Sequence, residues 1–511
     1  MSITSFSFLV LITVGTLVYY IIPKKIQWIE LLALSLVFYS FSVAPYTFIY
    51  IALATAIAYI STMLIKKGKK AGLIFCTAMI SLLLIWFVIK GYGLWYPVCI
   101  RVIPLISTSL MNKIDSFQIV AAMGMGYYTL QILGYIIECY WGNIQPQQNP
   151  FKLLLFVAYF PQLTTGPISR YADLKTMYDG RAFNYDNICM GAQRILWGFF
   201  KKLVIAERVG IIVSSINADP GTYHAFYSWI ALLLYPLQMY TDFSGCMDIV
   251  IGVSELFGIR LAENFNNPFF ARSSQEFWQR WHITLGTWAK DYVLYPLLKS
   301  KPMISFGKFT RNKLGRKKGA FVKNLIGMFV LWMVMGIWHG GYKYIVGVSL
   351  WYWIILMLGN LTASTFEKIT NIFEVKTTSF GWHLFQSIRT YIIYAVGAAF
   401  FVCGTSGGIY LIGDCIKVFY EEKYANPWIF FDGSILELGV GYRDINIILI
   451  GVLILFIVGI LREKYGYARL WIKNQSFVFR WAIWLFLLMM VVIYGNYGPD
   501  FNAADFIYMG F

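Results

Sequence analysis

One histidine stands where an apolar run ends, and this position suggests proton-transfer chemistry. His339 follows the run Leu325–Trp338 in the sequence MGIWHGG. An ionisable residue inside an apolar span is costly to bury unless another group pairs with it or a reaction uses it. The glycines Gly336 and Gly340 allow backbone or substrate to approach closely. His339 is therefore a candidate catalytic base, and the alternative is a histidine satisfied by a buried carboxylate.

A second histidine, His282, lies in the segment Ser273–Leu297. Ser273 followed by Glu276 is the pattern of a capping box at a helix start. Apolar and aromatic residues then recur at helical spacing, namely Phe277, Trp281, Leu285, Trp288 and Tyr292. Tryptophan-rich amphipathic helices with basic flanks lie at membrane interfaces. The sequence thus predicts one interfacial helix, on which His282 is either functional or only packs or caps.

Two acids lie within an apolar stretch, and established motifs of soluble enzymes are missing. For Asp242 and Asp248, in YTDFSGCMDIV, pairing with a lysine or arginine is a simpler prediction than catalysis. The chain contains no P-loop, HExxH or CxxC motif, which leaves NTPases and zinc enzymes unsupported. The 7 cysteines are scattered and suggest neither a disulfide framework nor a metal cluster. We predict no metal and no bound cofactor.

The composition places these residues in a membrane protein. The 511 residues are 59% hydrophobic and only 13% charged, about half the charged share of a soluble protein. Too few charged groups remain to cover an aqueous surface, so much of the chain must face lipid. Four early runs are almost free of charge, and most are long enough to cross the bilayer as helices: Phe6–Ile22, Leu31–Val43, Tyr46–Ile65 and Ala71–Ile89.

The net charge of +17 does not indicate nucleic-acid binding. The excess lies in short loops between apolar runs, above all in Lys299–Lys323, which contains nine lysines and arginines and no acid. That distribution follows the positive-inside rule. Membrane lipids with anionic headgroups, or an anionic donor such as a coenzyme A thioester, are the expected partners.

The loop charges predict the topology. No positive charge precedes the first apolar run, so we expect a retained span with its N-terminus outside. The segment 462–480 is basic and 421–444 is acidic, which places the former inside and the latter outside. The tail Tyr494–Phe511 has two acids and no base and is expected outside. Both termini then lie outside the cytoplasmic membrane, with about 12 crossings.

No internal repeat or linker divides the chain, so we predict one membrane-embedded domain over residues 1–511. It would comprise N-terminal spans (1–123), a core (124–345) and C-terminal spans with the tail (346–511). Two segments rich in proline, glycine and asparagine, Tyr159–Tyr171 and Glu263–Phe270, interrupt the apolar runs. Such backbone is tolerated at membrane depth only when it is buried in protein or lines a wet cavity.

Several of these segments together resemble the membrane-bound O-acyltransferase (MBOAT) family, and within it the alginate O-acetyltransferase (AlgI) type. The resemblance extends from about Gly124 to the end of the chain. It rests on GYYTLQILGYIIECYWG, FVAYFPQLTTGPISRY, FFKKLVIAERV, YTDFSGCMDIVIGVSELFGIRLAENFNNPFF, QEFWQRWHITLGTWAKDYVLYPL and GIWHG. Any one of these would be weak evidence, but the set is highly specific.

The resemblance implies an all-α helical funnel with re-entrant and interfacial helices. It also implies that His339 is the catalytic histidine and His282 the second motif residue, for which we expect a role in polarising the thioester carbonyl. Candidate supporting residues within the matched motifs are Asp242, Asn264, Asp291 and Trp338. Lys290 stands where the family usually has arginine, which keeps the charge and loses the bidentate geometry.

The end of the chain carries a further signal. Phe506, Tyr508 and Phe511 match the F-x-Y-x-x-F ending of AlgI-type transferases and of the small DltX partner in teichoic-acid D-alanylation. There the tyrosine is thought to carry the acyl group outward. A phenol with a pKa of about 10 is a better leaving group than an alcohol, so a tyrosyl ester stays activated for a second transfer. The alternative is an aromatic tail that anchors at the interface.

The expected function is O-acylation of a cell-envelope polysaccharide with an acyl group, above all acetyl, taken from acetyl-CoA or another acyl thioester. The resemblance implies an extracytoplasmic acyltransferase partner of the SGNH type. Within the class, the alternative is a D-alanyl transferase of the DltB type, although those chains are usually shorter and take the tyrosine motif from a separate peptide. Outside it, a glycan transporter or flippase would favour repeated halves, and the sequence shows none.

Overall fold

The computed structural model describes residues 1–42, 47–102, 124–421, 428–429 and 431–497. Within these ranges the chain is all-α, and the only β pairing is an isolated antiparallel bridge between Phe265 and Trp281. Tyr508 and the rest of its motif lie outside the described residues. The predicted all-α class is confirmed.

The chain divides into two compact units. The first comprises Met1–Leu203, Asp242–Glu263 and Gln475–Phe511, and the second comprises Val204–Thr241 and Asn264–Asn474. The π-helix Phe200–Ala206 and the helix Phe226–Leu256 contribute residues to both. The prediction of a single domain remains a prediction.

In the described ranges, the first unit contains nine longer helices. They are Phe6–Ile21, Gln27–Ser42, Phe48–Lys66, Ala71–Ile89, Tyr92–Val102, Met125–Trp141, Pro150–Ala158, Tyr185–Phe199 and Phe477–Tyr494, with single turns at Lys24–Ile26, Phe160–Leu163, Tyr171–Leu174 and Lys175–Tyr178. Polar side chains begin several of them. Asn149 and Asn184, for example, accept hydrogen bonds from the first free N–H groups of their helices.

The second unit combines long apolar helices with short pieces. Its α-helices are Glu207–Ala218, Ser274–Arg280, Ile283–Ala289, Tyr295–Lys299, Lys301–His339, Tyr342–Tyr344, Trp351–Ile372, Phe380–Lys417, Tyr442–Tyr465 and Ala468–Lys473. Turns of 3-10 helix occupy Pro268–Phe270 and Ser434–Leu438, and π-helix occupies Lys290–Leu294 and Ile345–Leu350. Two long helices bend at glycines with a positive φ, Gly315 (φ 79°) and Gly404 (φ 73°).

Seven helices of the described residues are long and apolar enough to cross a membrane. They are Phe48–Lys66, Ala71–Ile89, Lys301–His339, Tyr342–Ile372, Phe380–Lys417, Tyr442–Tyr465 and Phe477–Tyr494, and Phe6–Ile21 is a shorter apolar helix. In Phe477–Tyr494 only 17% of the most apolar window is buried inside the protein. Lipid must cover the remaining apolar surface. The chain is therefore a multi-pass membrane protein, and the total of about 12 crossings stays a prediction.

Of the two irregular segments predicted from proline, glycine and asparagine, the first is buried in protein and the second is buried in part. After the single turn Phe160–Leu163, the backbone of residues 164–170 is largely non-helical, and residues 159–169 are buried. In Glu263–Phe270, the side chains of Asn264, Phe265 and Asn267 are buried, while Asn266 is exposed. The protein itself thus surrounds the first stretch, as membrane depth requires.

Within the first unit, the helix Tyr185–Phe199 and the second half of the helix Phe226–Leu256 approach closely, because two pairs of glycines face each other. A Cβ on Gly198 would lie 2.6 Å from the carbonyl oxygen of Gly245, and a Cβ on Gly191 would lie 2.7 Å from that of Gly252. The two glycines on each helix are about two helical turns apart. Arg194 lies between Gly191 and Gly198 on the first of these helices. Its side chain therefore enters the narrow, dry seam between the two helices.

Arg194 organises an ion-pair network in this seam. Its guanidinium contacts Asp248 at 2.9 Å, Glu255 at 3.3 Å and Glu263 at 2.6 Å, and only 8% of its side chain is exposed. Lys201 adds a second cation 2.6 Å from Asp248. A planar guanidinium carries five donors on three nitrogens, so it can serve several carboxylates at once.

The predicted pairing of both intramembrane acids is present. Asp242 forms an ion pair with Lys202, and Asp248 pairs with Lys201 and Arg194. The two lysines are consecutive residues of the π-helix Phe200–Ala206. Because both charges of the Asp242–Lys202 pair are buried, removal of either partner would leave an uncompensated charge in the protein interior.

Candidate active site

His339 is the last residue of the helix Lys301–His339, and its side chain is 6% exposed. Gly340 ends the helix in the left-handed conformation (φ 88°), where a residue with a side chain would be strained. One turn earlier, a Cβ on Gly336 would lie 2.0 Å from Ser349 Oγ and 2.8 Å from the carbonyl oxygen of Tyr344. The predicted close approach at the glycines is confirmed for Gly336, where another segment of the chain fills the space.

Aromatic rings enclose the imidazole of His339. Its ring centroid lies 4.8 Å from that of Trp338, 5.1 Å from that of Tyr344 and 5.6 Å from that of Phe401. Tyr344 and Phe401 also contact each other, at 4.8 Å. Such packing restricts the ring to one orientation, which a catalytic base requires.

His282 lies at a break in the predicted helix. The expected continuous helix over Ser273–Leu297 is wrong, because the chain breaks at His282, which has a φ of 47°. The helix start is confirmed, since Ser273 Oγ accepts from the N–H of Glu276. The apolar face is buried inside the protein, at Phe277, Trp281, Leu285, Trp288 and Tyr292, and the interfacial position stays a prediction.

The break has a physical cause distant in the sequence. Residues 264–266 run beside residues 280–283, where the N–H of Ile283 donates to the carbonyl oxygen of Asn264 and the N–H of Asn266 donates to that of Arg280. Phe265 forms its bridge with Trp281 there. These bonds replace helical ones and fix His282 in the left-handed conformation, which is rare for a residue with a side chain.

The hydrogen bonds around Asn264 define the tautomer of His282. The N–H of Thr284 (3.1 Å) and its hydroxyl (2.9 Å) both point to one side-chain atom of Asn264. A backbone N–H can only donate, so this atom is the amide oxygen. His282 Nδ1 lies 3.2 Å from the same oxygen. Nδ1 must therefore carry a hydrogen, and the neutral ring has its lone pair on Nε2.

Burial also keeps this ring neutral. The side chain of His282 is 3% exposed, and desolvation lowers the pKa of His282 to about 3. A neutral imidazole with hydrogen on Nδ1 accepts a hydrogen bond at Nε2 and cannot donate one there. This arrangement does not favour the expected role of polarising a carbonyl, which requires a donor.

Trp338 links the two histidines. Its ring centroid lies 6.2 Å from that of His282 and 4.8 Å from that of His339. The two imidazoles are therefore no further apart than the sum of these two distances. The structure brings together His282, His339, Trp338 and Asn264, all of which belong to the second unit.

A cavity of about 510 Å³ is lined in part by His282. Its wall is largely apolar and includes Leu294, Met328, Leu331, Met335 and Met357. Met335 lies four residues before His339, so the cavity comes within about one helical turn of that residue. The polar lining is supplied by Gln275, Gln279, Lys290, Asn324 and Asn360.

Two tryptophans form part of the cavity wall. Trp278 and Trp332 both line it, with ring centroids 4.9 Å apart in an edge-to-face arrangement. The Nε1–H group of each is buried and has no acceptor among the described residues. A buried donor without an acceptor costs about 1–3 kcal/mol, so this wall carries a local cost in stability.

The remaining predicted site residues lie elsewhere. Asp291 belongs to the π-helix Lys290–Leu294 and does not line the cavity, whereas its neighbour Lys290 does. Asp242 belongs to the other unit and pairs with Lys202. Tyr508 is outside the described residues. Among the described residues, no group of three or more His, Cys, Asp or Glu side chains is arranged to hold a metal ion.

Sequence reasoning missed Thr284, Tyr344, Phe401 and the two cavity tryptophans. Only Trp278 had a signal, since it lies four residues before His282 in QEFWQRWH. Trp332 is one of several tryptophans on a long apolar helix, and its helical spacing from His339 is that of an ordinary packing residue.

Comparison with known proteins finds a family whose sequence model matches part of this chain. Residues 146–311 match the sequence model of MBOAT, the membrane-bound O-acyltransferase family. The matched segment contains both His282 and Asn264, while His339 follows it. Over these residues the chain is thus similar to MBOAT proteins, as its motifs predicted.

Three curated relatives indicate the range of chemistry. The chain is 30% identical over 294 residues to the probable alginate O-acetylase AlgI of Pseudomonas aeruginosa, covering 56% of this chain and 53% of that protein. It is 31% identical over 267 residues to the peptidoglycan O-acetyltransferase of Helicobacter pylori (46% and 47%) and 29% identical over 281 residues to the teichoic acid D-alanyltransferase of Bacillus subtilis (54% and 65%). The chain spans about half the length of the first of these relatives.

The pH dependence of acyl transfer should change in a specific way when the partner of His282 Nδ1 is replaced. In an Asn264→Asp variant, the carboxylate still accepts from Nδ1 but its charge favours the imidazolium, so the pKa of His282 rises from about 3. Protonation removes the Nε2 lone pair, so the rate of acyl transfer should decrease as the pH falls through the raised pKa. We expect the acidic limb of kcat/KM to move to higher pH. A Thr284→Val variant is the control, since its amide N–H remains, and a profile of Asn264→Asp identical to wild type would contradict the argument.

Proposed function

We propose that this protein is a membrane-bound O-acyltransferase that takes an acetyl group from a cytoplasmic thioester, such as acetyl-CoA, for O-acylation of a cell-envelope polysaccharide. The observation that carries the proposal is the cavity that joins His282 to the helix of His339. The names of the relatives, two of them O-acetylating enzymes and one a D-alanyltransferase, support acyl transfer to an envelope polymer.

The cavity suits the arm of an acyl thioester. Its apolar wall, to which the rings of Trp278 and Trp332 contribute, fits a flexible chain. Lys290 and the amides of Gln275 and Gln279 fit a polar or anionic end. His282 Nε2 would accept a hydrogen bond from an N–H or O–H group of the bound molecules.

In the proposed reaction, His339 removes the proton from the attacking hydroxyl group. The hydroxyl oxygen bonds to the carbonyl carbon of the thioester, and the carbon–sulfur bond breaks. The thiolate then takes the proton from His339, which yields an ester, a free thiol and the original histidine. We propose that Tyr508 is the first acceptor and that a glycan hydroxyl takes the acyl group from the tyrosyl ester in a second transfer.

The wider setting also belongs to the proposal. The chain would lie in the cytoplasmic membrane with both termini outside, as the loop charges predict. A separate extracytoplasmic transferase of the SGNH type would complete delivery to the polysaccharide. D-alanyl transfer is the second candidate, and the relative from Bacillus subtilis is the observation that favours it. The mass of the group carried by Tyr508 would distinguish the two.

Filling the cavity tests the donor site directly. Gly286 lines the cavity, lies in the helix Ile283–Ala289 and would have only an ordinary contact at its Cβ, 3.8 Å from the carbonyl oxygen of Trp278. A Gly286→Phe variant should occupy the space of the donor arm and raise the KM for the thioester about tenfold or more, with expression unchanged.

Gly359 provides the matched control. It is also helical, its Cβ would meet nothing within 4 Å, and it does not line the cavity. Gly359→Phe should therefore leave the KM unchanged. An unaltered KM in a well-expressed Gly286→Phe variant would show that the donor binds elsewhere, while His339 would keep its proposed role.

A further inference from the structure

The basic segment before the cavity helix folds as a helical hairpin. The helix Lys301–His339 bends at Gly315, and the two arms pack against each other. Thr310 Oγ1 donates to the carbonyl oxygen of Gly319 at 3.1 Å. A Cβ on Gly319 would lie 2.5 Å from the backbone nitrogen of Arg311. The arms are therefore antiparallel and joined along a seam of small residues, which makes residues 301–322 a defined element, here called the basic hairpin.

The outer surface of the basic hairpin is cationic. Seven of its basic residues are exposed, namely Lys301, Lys308, Arg311, Lys313, Arg316, Lys317 and Lys318. The segment contains no acid, and none of these seven side chains forms an ion pair with a described residue. Their mutual repulsion is unrelieved by the described part of the chain, so an anionic surface would stabilise the hairpin.

Large apolar side chains lie among these cations. Ile304 is 42% exposed, Phe309 is 55% exposed and Leu314 is 49% exposed. The ammonium group of Lys313 lies 5.3 Å from the ring centroid of Phe309. Cations that alternate with exposed apolar groups are typical of elements that lie in the headgroup region of a membrane, where the apolar groups reach below the charges.

We infer that the basic hairpin binds the anionic phospholipids of the membrane in which the protein lies. Charge complementarity supports this occupant, since each lysine or arginine near an anionic leaflet adds to the attraction. Chain continuity supports it as well, because the second arm continues into the candidate span that ends at His339. The hairpin is thereby tethered at the membrane surface, where the local concentration of headgroups is high.

Lipid binding at the basic hairpin also affects the position of the helix that lines the cavity. The same helix presents Phe321 and Asn324 to the cavity, close to the hairpin. A hairpin fixed to the headgroups fixes the depth of that helix in the bilayer. This inference does not depend on the proposed reaction, since it concerns lipid binding alone.

Native mass spectrometry of the full-length protein tests the inference. Protein purified in detergent is incubated with an equimolar mixture of phosphatidylglycerol and phosphatidylcholine, and the bound lipids are counted. Wild type should retain phosphatidylglycerol preferentially. The hairpin variant Lys308→Gln/Lys313→Gln/Lys317→Gln/Lys318→Gln should lose that preference by about tenfold or more.

The matched control removes the same charge elsewhere. Lys66, Lys67, Lys69 and Lys70 are four exposed lysines at and just after the end of the helix Phe48–Lys66, and their replacement by glutamine should preserve most of the preference. Size-exclusion chromatography checks that both variants remain folded, and Phe309→Ser tests the apolar contribution without a change of charge.

Three results would overturn the inference. The first is a hairpin variant that retains as much phosphatidylglycerol as wild type. The second is a variant of Lys66, Lys67, Lys69 and Lys70 that loses as much as the hairpin variant. The third is displacement of the lipid by glycerol phosphate, which would identify a site for a free phosphate. Loss of transfer from a donor carried on an acidic protein, with lipid binding intact, would instead identify the hairpin as a protein-docking surface.

Discussion

A His339→Ala variant is expected to lose acyl transfer almost completely, by about 10²- to 10⁴-fold, because general-base catalysis contributes effects of that size. Gly340 ends the helix at this residue, and Trp338, Tyr344 and Phe401 hold the ring. Alanine leaves the helix intact and removes the only group that the proposed mechanism assigns to proton removal. Turnover of a labelled thioester by purified protein in detergent measures the effect.

The two histidines should differ in this assay. His282→Ala is expected to be damaging but to leave residual activity, because a group that accepts a hydrogen bond orients substrates and does not carry the transferred proton. His383→Ala is the control, since that residue lies outside the cavity and contacts Arg272. Near-normal turnover in His339→Ala would remove the central assignment, and equal, total loss in both variants would show that the division of roles is wrong.

The second large effect is expected at the end of the chain. Tyr508→Phe keeps the aromatic ring and its affinity for the interface and removes the nucleophilic oxygen. If Tyr508 receives the acyl group first, glycan acylation should collapse while thioester binding survives. Intact-protein mass spectrometry of wild type should then detect a labile acyl adduct on the tail, whose ester is activated by the phenol leaving group with a pKa of about 10.

Tyr497→Phe is the matched control for this experiment. Tyr497 lies on the same tail, earlier in the chain, and is 50% exposed. If the tail only anchors at the interface, both variants should acylate glycan normally, because phenylalanine keeps an aromatic ring there. Full activity of Tyr508→Phe would rule out the relay and leave His339 acting directly on an external acceptor.

Much of this architecture was readable from local patterns. The apolar runs predicted the long helices because a membrane-spanning helix needs only length and low charge. His339 was identifiable as a catalytic candidate because an ionisable group in such a run is costly to bury unless it is paired or used in a reaction. The same rule predicted that Asp242 and Asp248 would each pair with a basic residue. It did not predict that the two partners would be Lys202 and Lys201, consecutive residues of a π-helix.

The site itself depends on contacts that no local pattern encodes. Helical spacing continued through His282, yet Asn264 and its neighbours interrupt the helix from a distant part of the chain. The tautomer of His282 follows from that interruption. Likewise, Trp278 and Trp332 are far apart in the sequence and form one cavity wall only after folding. Hydrophobic periodicity predicts which side of a helix is apolar, but it does not predict which group from elsewhere in the sequence will contact that side.

Envelope chemistry tests the central claim most directly. Cells that lack this protein would be complemented with wild type or with His339→Ala, and ester-linked acyl groups on their envelope glycans would be measured by mass spectrometry. The account predicts that an O-acyl modification disappears without the protein, returns with wild type and stays absent with His339→Ala at equal expression. Unchanged acylation of every envelope glycan in the cells that lack the protein would contradict it.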